Sequence, residues 1–175
     1  YKLEGAKIVA SDNLNLHVQN LQNSGALQAG ESIALNVDTL TNSKNIQAKH
    51  ELHVNASNTI DNINGTLQAD KNVILTAKND INNISARIKG ENVSLNSTEG
   101  SVNNIMYAKD ATYSGARFIN KTTHVGGASA IEASKDLDIT VKEAIHNQGS
   151  QLSGKDVNLQ AKDITIDTVV KNKDM

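Results

Sequence analysis

Histidines and regularly spaced carboxylates are the residues of this chain best equipped for chemistry. His50-Glu51-Leu52-His53 sets two imidazoles three positions apart, and imidazole nitrogen is a common zinc ligand. The spacing is not that of the H-E-x-x-H helix of zinc proteases. On a strand, His50 shares a face with Leu52 and His53 shares the opposite face with Glu51, so the pair cannot meet one metal. His50 therefore reads as a corner residue and His53 as a solvated outward one. His17, His124 and His146 have no cysteine or paired carboxylate at ligand spacing. No metal and no cofactor is expected.

The carboxylates recur at Asp12, Glu31, Glu51, Asp70, Glu91, Asp136 and Asp156. Stacked, they would form an acidic stripe of the kind a polysaccharide-cleaving β-helix gathers along a groove. Lys7, Lys49, Lys71, Lys135 and Lys155 stand beside them, and such mixed charge describes a solvated edge. The two arginines, Arg87 and Arg117, lie far apart. Neither a nucleophile elbow nor a P-loop is present, nor a glycine-rich calcium repeat. No catalytic residue is assigned. The expectation is a non-enzyme, with a β-helical polysaccharide-active enzyme domain as the alternative.

Asparagine is the most regular polar residue, with 23 copies in 175 residues. Asn23, Asn42, Asn62, Asn83, Asn104 and Asn147 each stand two positions after an aliphatic residue. On a strand that offset puts both side chains on one side. One inward Asn per coil, stacked at about 4.8 Å, can bond its amide to the Asn above and below. This would satisfy buried polar groups that otherwise cost roughly 1–3 kcal/mol each. Asn also suits turns, which is the competing reading, and Asn72 is outward by the same alternation. Glycan-acceptor sequons occur at Asn55, Asn64, Asn83, Asn92, Asn96 and Asn120; Asn83 is inward, whereas outward ones are open to modification.

The elements that must position these residues form a repeat. Segments beginning at Ile8, Leu27, Ile46, Leu67, Ile88, Ile131 and Leu152 each read aliphatic, spacer, small residue. Each is followed by a period-two triplet such as Leu14-Leu16-Val18, Val73-Leu75-Ala77 or Val157-Leu159-Ala161. Period two with one apolar face is a strand signal, not a helical one. Ser24-Gly25, Asn64-Gly65, Glu99-Gly100 and Gln148-Gly149 mark corners. The composition fits a thin, regular cross-section: aromatics are 2% of residues, and proline, cysteine and tryptophan are absent. A period of about 19–21 residues points to stacked coils. The fold expected is all-β, a right-handed parallel β-helix (β-solenoid) of about eight coils.

One stretch breaks the cadence. Residues 106–130 read as an irregular coil or loop within a single β-helix segment, 1–175, of a larger protein. Tyr107, Tyr113 and Phe118 fall there with Arg117, and aromatic and Arg side chains dominate binding hot spots. These four are the possible contact surface of the segment, unless the rings merely fill a wider cross-section. The net charge of −2 supplies no reason to expect nucleic acid. No apolar run reaches the roughly 18 residues of a membrane span.

The cadence L-x-A-x-x-x-x-L-x-L-x-A-x-x-I-x-N, clearest in Leu67–Asn83 and in Ser150–Ile166, resembles the filamentous haemagglutinin family. These are large exoproteins of bacterial two-partner secretion, and they include adhesins and the toxin-carrying sticks of contact-dependent growth inhibition. The resemblance covers nearly the whole chain, although Met106–Ala130 fits poorly. It implies a structural and adhesive filament segment, secreted or held at the bacterial cell surface. It also implies an outer-membrane secretion partner and, through the parent protein, a protein or glycan receptor on a host or neighbouring cell.

Overall fold

The computed structural model describes residues 5–115 and 118–169, and for 108–115 and 118–125 it describes the backbone alone. Within these residues the chain winds as a parallel β-solenoid of three seven-stranded sheets. Each strand pairs with its counterpart one coil on. The first sheet stacks Lys7–Ala10, Ala26–Ala29, Asn45–Ala48, Thr66–Ala69, Arg87–Gly90, Ala130–Ala133 and Gln151–Ser153. The second stacks Leu14–His17, Ser32–Val37, Glu51–Ala56, Asn72–Ala77, Asn92–Ser97, Asp136–Val141 and Asp156–Gln160. The third stacks Asn20–Asn23, Thr39–Asn42, Ile60–Ile63, Ile81–Ile84, Val102–Ile105, Ala144–Gln148 and Asp163–Asp167.

Strand pairing sets like side chains above like. Leu27, Ile46, Leu67, Ile88 and Ile131 form one inward column. Leu35, Val54, Leu75, Leu95 and Ile139 form another, and Leu40, Ile60, Ile81, Val102 and Ile145 a third. All of these are buried. Ala48, Ala69, Ala56 and Ala77 are buried at the ends of their strands. Small apolar residues in register fill this interior without the aromatics that a wider core would need. Exposure rises at Ile8, Val157 and Ile166 in the first and last rungs, which have a paired neighbour on one side only. Val18, expected inward as the third member of its triplet, is exposed; it lies in the first rung, just past the strand that ends at His17.

The number of rungs is seven, close to the expected eight, and the difference has a definite origin. Ile88 pairs directly with Ile131, and Asn104 bonds Asn147 across 43 positions. The segment between them adds no rung. It leaves the rod at the corner between the third and first sheets as an antiparallel hairpin, Ala108–Gly115 against Phe118–Val125.

That corner changes along the rod. Asn23 stands three positions before Ala26 and Asn42 three before Asn45, whereas Asn62 stands four before Thr66 and Asn83 four before Arg87. The longer corner takes up its extra residue in a left-handed conformation, at Asn64 (φ 60°), Ser85 (φ 46°) and Gly149 (φ 58°). Asn and Gly are the residues that reach this region at least cost.

Candidate functional site

The asparagines form one continuous ladder. Asn23 Nδ2 donates to Asn42 Oδ1 at 2.8 Å, Asn42 to Asn62 at 2.8 Å, and Asn62 to Asn83 at 2.9 Å. Asn83 then donates to Asn104 at 2.9 Å, and Asn104 to Asn147 at 2.8 Å. Each Nδ2 also reaches corner carbonyls, as Asn62 does with Arg87 O at 3.0 Å and Asn83 with Ala130 O at 3.1 Å. Asn42, Asn62, Asn83 and Asn104 are fully buried, so their amides are satisfied by the rod itself. This answers the turn reading: the constant offset from the aliphatic residue marks an inward position. Asn83 is thereby closed to glycan attachment, whereas Asn55, Asn64 and Asn96 are exposed. In the register of Asn147 the next coil has Ile166, where the ladder stops.

Charged residues stack on another corner. Rung-to-rung backbone bonds place Asp12, Glu31, His50, Lys71, Glu91, Lys135 and Lys155 in one file. His50 Nδ1 meets Glu31 at 2.7 Å, Lys135 meets Glu91 at 2.9 Å, and Lys71 lies 3.9 Å from Glu91. The Lys135 ammonium hydrogen-bonds Glu91 and, with Lys71, holds its carboxyl below the usual carboxylate range. Glu91 in turn pushes Lys135 above the usual lysine range. A carboxylate held ionised by two lysines is a poor proton donor, although it lines the shallow groove formed with Gln68, Asp70, Lys89 and Glu132. Glu51, Asp136 and Asp156 belong to a neighbouring file that also contains Asn72 and Asn92. Among the described residues no three potential ligand side chains converge on a cation site. His53 is exposed and separate from His50.

The hairpin is rooted in the rod by serines. Tyr107 N–H donates to Ser85 Oγ at 2.8 Å, and Ser129 Oγ donates to Ile105 O at 2.8 Å. Ala86 N–H donates to Ser129 Oγ at 3.1 Å, and Ser129 N–H to Ser150 Oγ at 3.0 Å. Gly126 N–H closes the base onto Tyr107 O at 2.7 Å. Of the four residues expected to make a contact surface, Tyr107 is exposed. Tyr113 and Phe118 belong to the two hairpin strands, in register with Asn120 and Gly115, and their side chains lie outside what is described. Arg117 lies outside the described residues altogether. Beside the root, Ile63, Ile84 and Ile105 follow one another in register on the outer face, with Ile63 exposed. That apolar file and the serine pins escaped sequence reading, since each depends on which residues the added corner position brings together.

The repeat geometry meets an independent comparison at this point. A hemagglutinin repeat family model matches residues 36–174, and a second haemagglutinin repeat model matches residues 4–64. The chain belongs to the haemagglutinin repeat family. Neither a curated protein nor a solved structure matches it. As a haemagglutinin repeat segment it is of the filamentous adhesin type, a structural and adhesive class.

Proposed function

We propose that this segment is part of the shaft of a secreted bacterial exoprotein, which it helps to hold its binding or toxin-bearing region away from the cell. The parent protein, in this reading, crosses the outer membrane through a two-partner secretion channel and meets a protein or glycan receptor on a host or neighbouring cell. The observation that carries the reading is the unbroken register of three sheets over seven rungs. Every coil repeats the pairing of the last, so rigidity accumulates from nearest-neighbour interfaces. Tyr107, Tyr113, Arg117 and Phe118 are the contact residues proposed for the segment itself, since in sequence they fall within or next to the hairpin Ala108–Gly115 and Phe118–Val125, which leaves the rod.

Deleting Thr66–Ala86 tests the shaft role. The cut joins Gly65 to Arg87, matches the register of Thr66 with Arg87, and removes one coil, about 4.8 Å of length. Surface display and adhesion by the parent protein are expected to persist. A folded deletion variant that is displayed and no longer adheres would overturn the reading. Alanine at the four contact residues is expected to weaken attachment of the isolated segment to target cells, with unchanged far-ultraviolet circular dichroism.

A further inference from the structure

The ladder presses closely on one corner, at Gly65. A Cβ on Gly65 would lie 2.6 Å from Asn42 Nδ2 and 2.7 Å from Asn62 Oδ1. The Gly65 carbonyl accepts from Asn62 Nδ2 at 3.3 Å and from Arg87 N–H at 2.9 Å. No other residue fits there without disturbing two ladder amides. The residue before it, Asn64, has φ 60°, a region where asparagine is several-fold enriched among non-glycine residues. Asn therefore stands directly before Gly at this corner, with Asn64 exposed and Gly65 buried against the ladder.

The Gly65 amide differs from those of Gly25, Ala86 and Ser129 and resembles those of Lys44 and Ser150, which also lack an acceptor among the described residues. Gly25 N–H donates to Asn23 Oδ1 at 3.3 Å, Ala86 N–H to Ser129 Oγ at 3.1 Å, and Ser129 N–H to Ser150 Oγ at 3.0 Å. One coil beyond Gly65 stands Ala86, which has no side-chain acceptor, and the Gly65 N–H has no acceptor among the described residues.

We infer that Asn64 is a site of spontaneous covalent modification. Hydroxide removes the Gly65 amide proton, and the nitrogen attacks Cγ of Asn64, unhindered by a side chain on the attacking residue. The new N–Cγ bond forms as the Cγ–Nδ2 bond breaks, and Nδ2 takes a proton from water and leaves as ammonia, which returns the hydroxide. Water then opens the succinimide at either carbonyl and leaves an aspartyl or isoaspartyl residue at position 64. The product carries one new negative charge. In the isoaspartyl form the backbone gains a methylene between two rung bonds, Asn64 N–H to Ile84 O at 3.0 Å and Thr66 N–H to Lys44 O at 2.7 Å. The reaction therefore marks the age of a molecule and loosens the ladder beside it. Asn23, Asn42 and Asn96 precede serine; the first two are buried with their amides bonded, and Asn96, although exposed, is held in extended backbone within the paired strand Asn92–Ser97.

The test is incubation of the folded chain at mildly alkaline pH in heavy-oxygen water, followed by peptide mapping and isoaspartyl methyltransferase labelling. A urea-unfolded sample gives the reference rate, and Asn64→Gly keeps a residue suited to positive φ while removing the side-chain amide. The expected result is one dominant modified position, 64, carrying one heavy oxygen, forming faster as hydroxide rises and absent from Asn64→Gly. Asn23 and Asn42 should react only in urea. Retention of Asn64 in the folded chain, or earlier conversion of another asparagine there, overturns the inference.

Discussion

At the scale of residues, the rod depends on a few side chains that cannot be exchanged for others of similar bulk. Replacing Asn62 or Asn83 with leucine removes a donor and an acceptor from the middle of a buried ladder and leaves the amides on either side without partners. A loss of about 1–3 kcal/mol is expected for each, read from urea unfolding. Asn72, outward by sequence alternation, is a poor control, because its Oδ1 accepts from Asn92 Nδ2 at 3.1 Å. Asn15 is the better one, being exposed, and Asn15→Leu should leave the midpoint nearly unchanged. Gly65→Ala should likewise destabilise the rod, since its methyl would press on Asn42 and Asn62. Gly127→Ala, with open space around its Cβ, should be close to neutral. Equal midpoints for Gly65→Ala and Gly127→Ala would show that the ladder yields easily.

The corner between the third and first sheets is the element that distinguishes one coil from the next. Its first two turns are short, the later ones carry an extra left-handed residue, and one opens into a hairpin. The rod closes beneath that hairpin with its pairing intact, Arg87 to Ala130 and Asn104 to Asn147. Residues 107–128 can therefore be removed, joining Met106 to Ser129 so as to copy the neighbouring Ser85-Ala86 corner. Met106→Asn belongs in the same variant, because position 106 must then adopt the positive φ of Asn64 and Ser85. The shortened chain is expected to keep its strand circular dichroism and melt within a few degrees of the parent. A large fall in midpoint would mean that the hairpin supports the coil instead of merely leaving it.

Over the whole molecule, stability is a sum of rungs and their shared interfaces. Leu75 is fully buried between Val54 and Leu95, so Leu75→Ala opens a void shared by two interfaces. Large-to-small changes of this kind cost about 2–5 kcal/mol. Leu159 is only partly buried and pairs with Ile139 on one side, and Leu159→Ala should cost distinctly less. Denaturant titrations of the two variants give the comparison, and equal losses would contradict nearest-neighbour additivity. In the pair of Lys135 with Glu91 the lysine is exposed and the carboxylate partly so, and surface pairs of this kind contribute little by comparison. Salt should therefore shift these transitions less than either leucine change.

Much of this architecture is legible before folding because a solenoid repeats its chemistry. Period-two triplets give the strands, the recurring aliphatic-x-Asn gives the ladder, and the coil length gives the parallel pairing. Each is a local pattern reinforced by copies, and the polar alternation of His53 and Asp138 follows from the same pleat. What only the tertiary structure decides is the outcome of register between distant residues. The alignment of Ile88 with Ile131 leaves the stretch expected as an irregular coil or loop outside the stack, where Ala108–Gly115 and Phe118–Val125 pair as a hairpin. Stacking makes one file of Asp12, Glu31, His50, Lys71, Glu91, Lys135 and Lys155, whose spacing along the chain is uneven. The same holds for Gly65, which looks like an ordinary corner glycine until the amides of Asn42 and Asn62 are found where its side chain would be. A repeat specifies contacts between equivalent positions, whereas corners and insertions depend on what three-dimensional closure brings beside them.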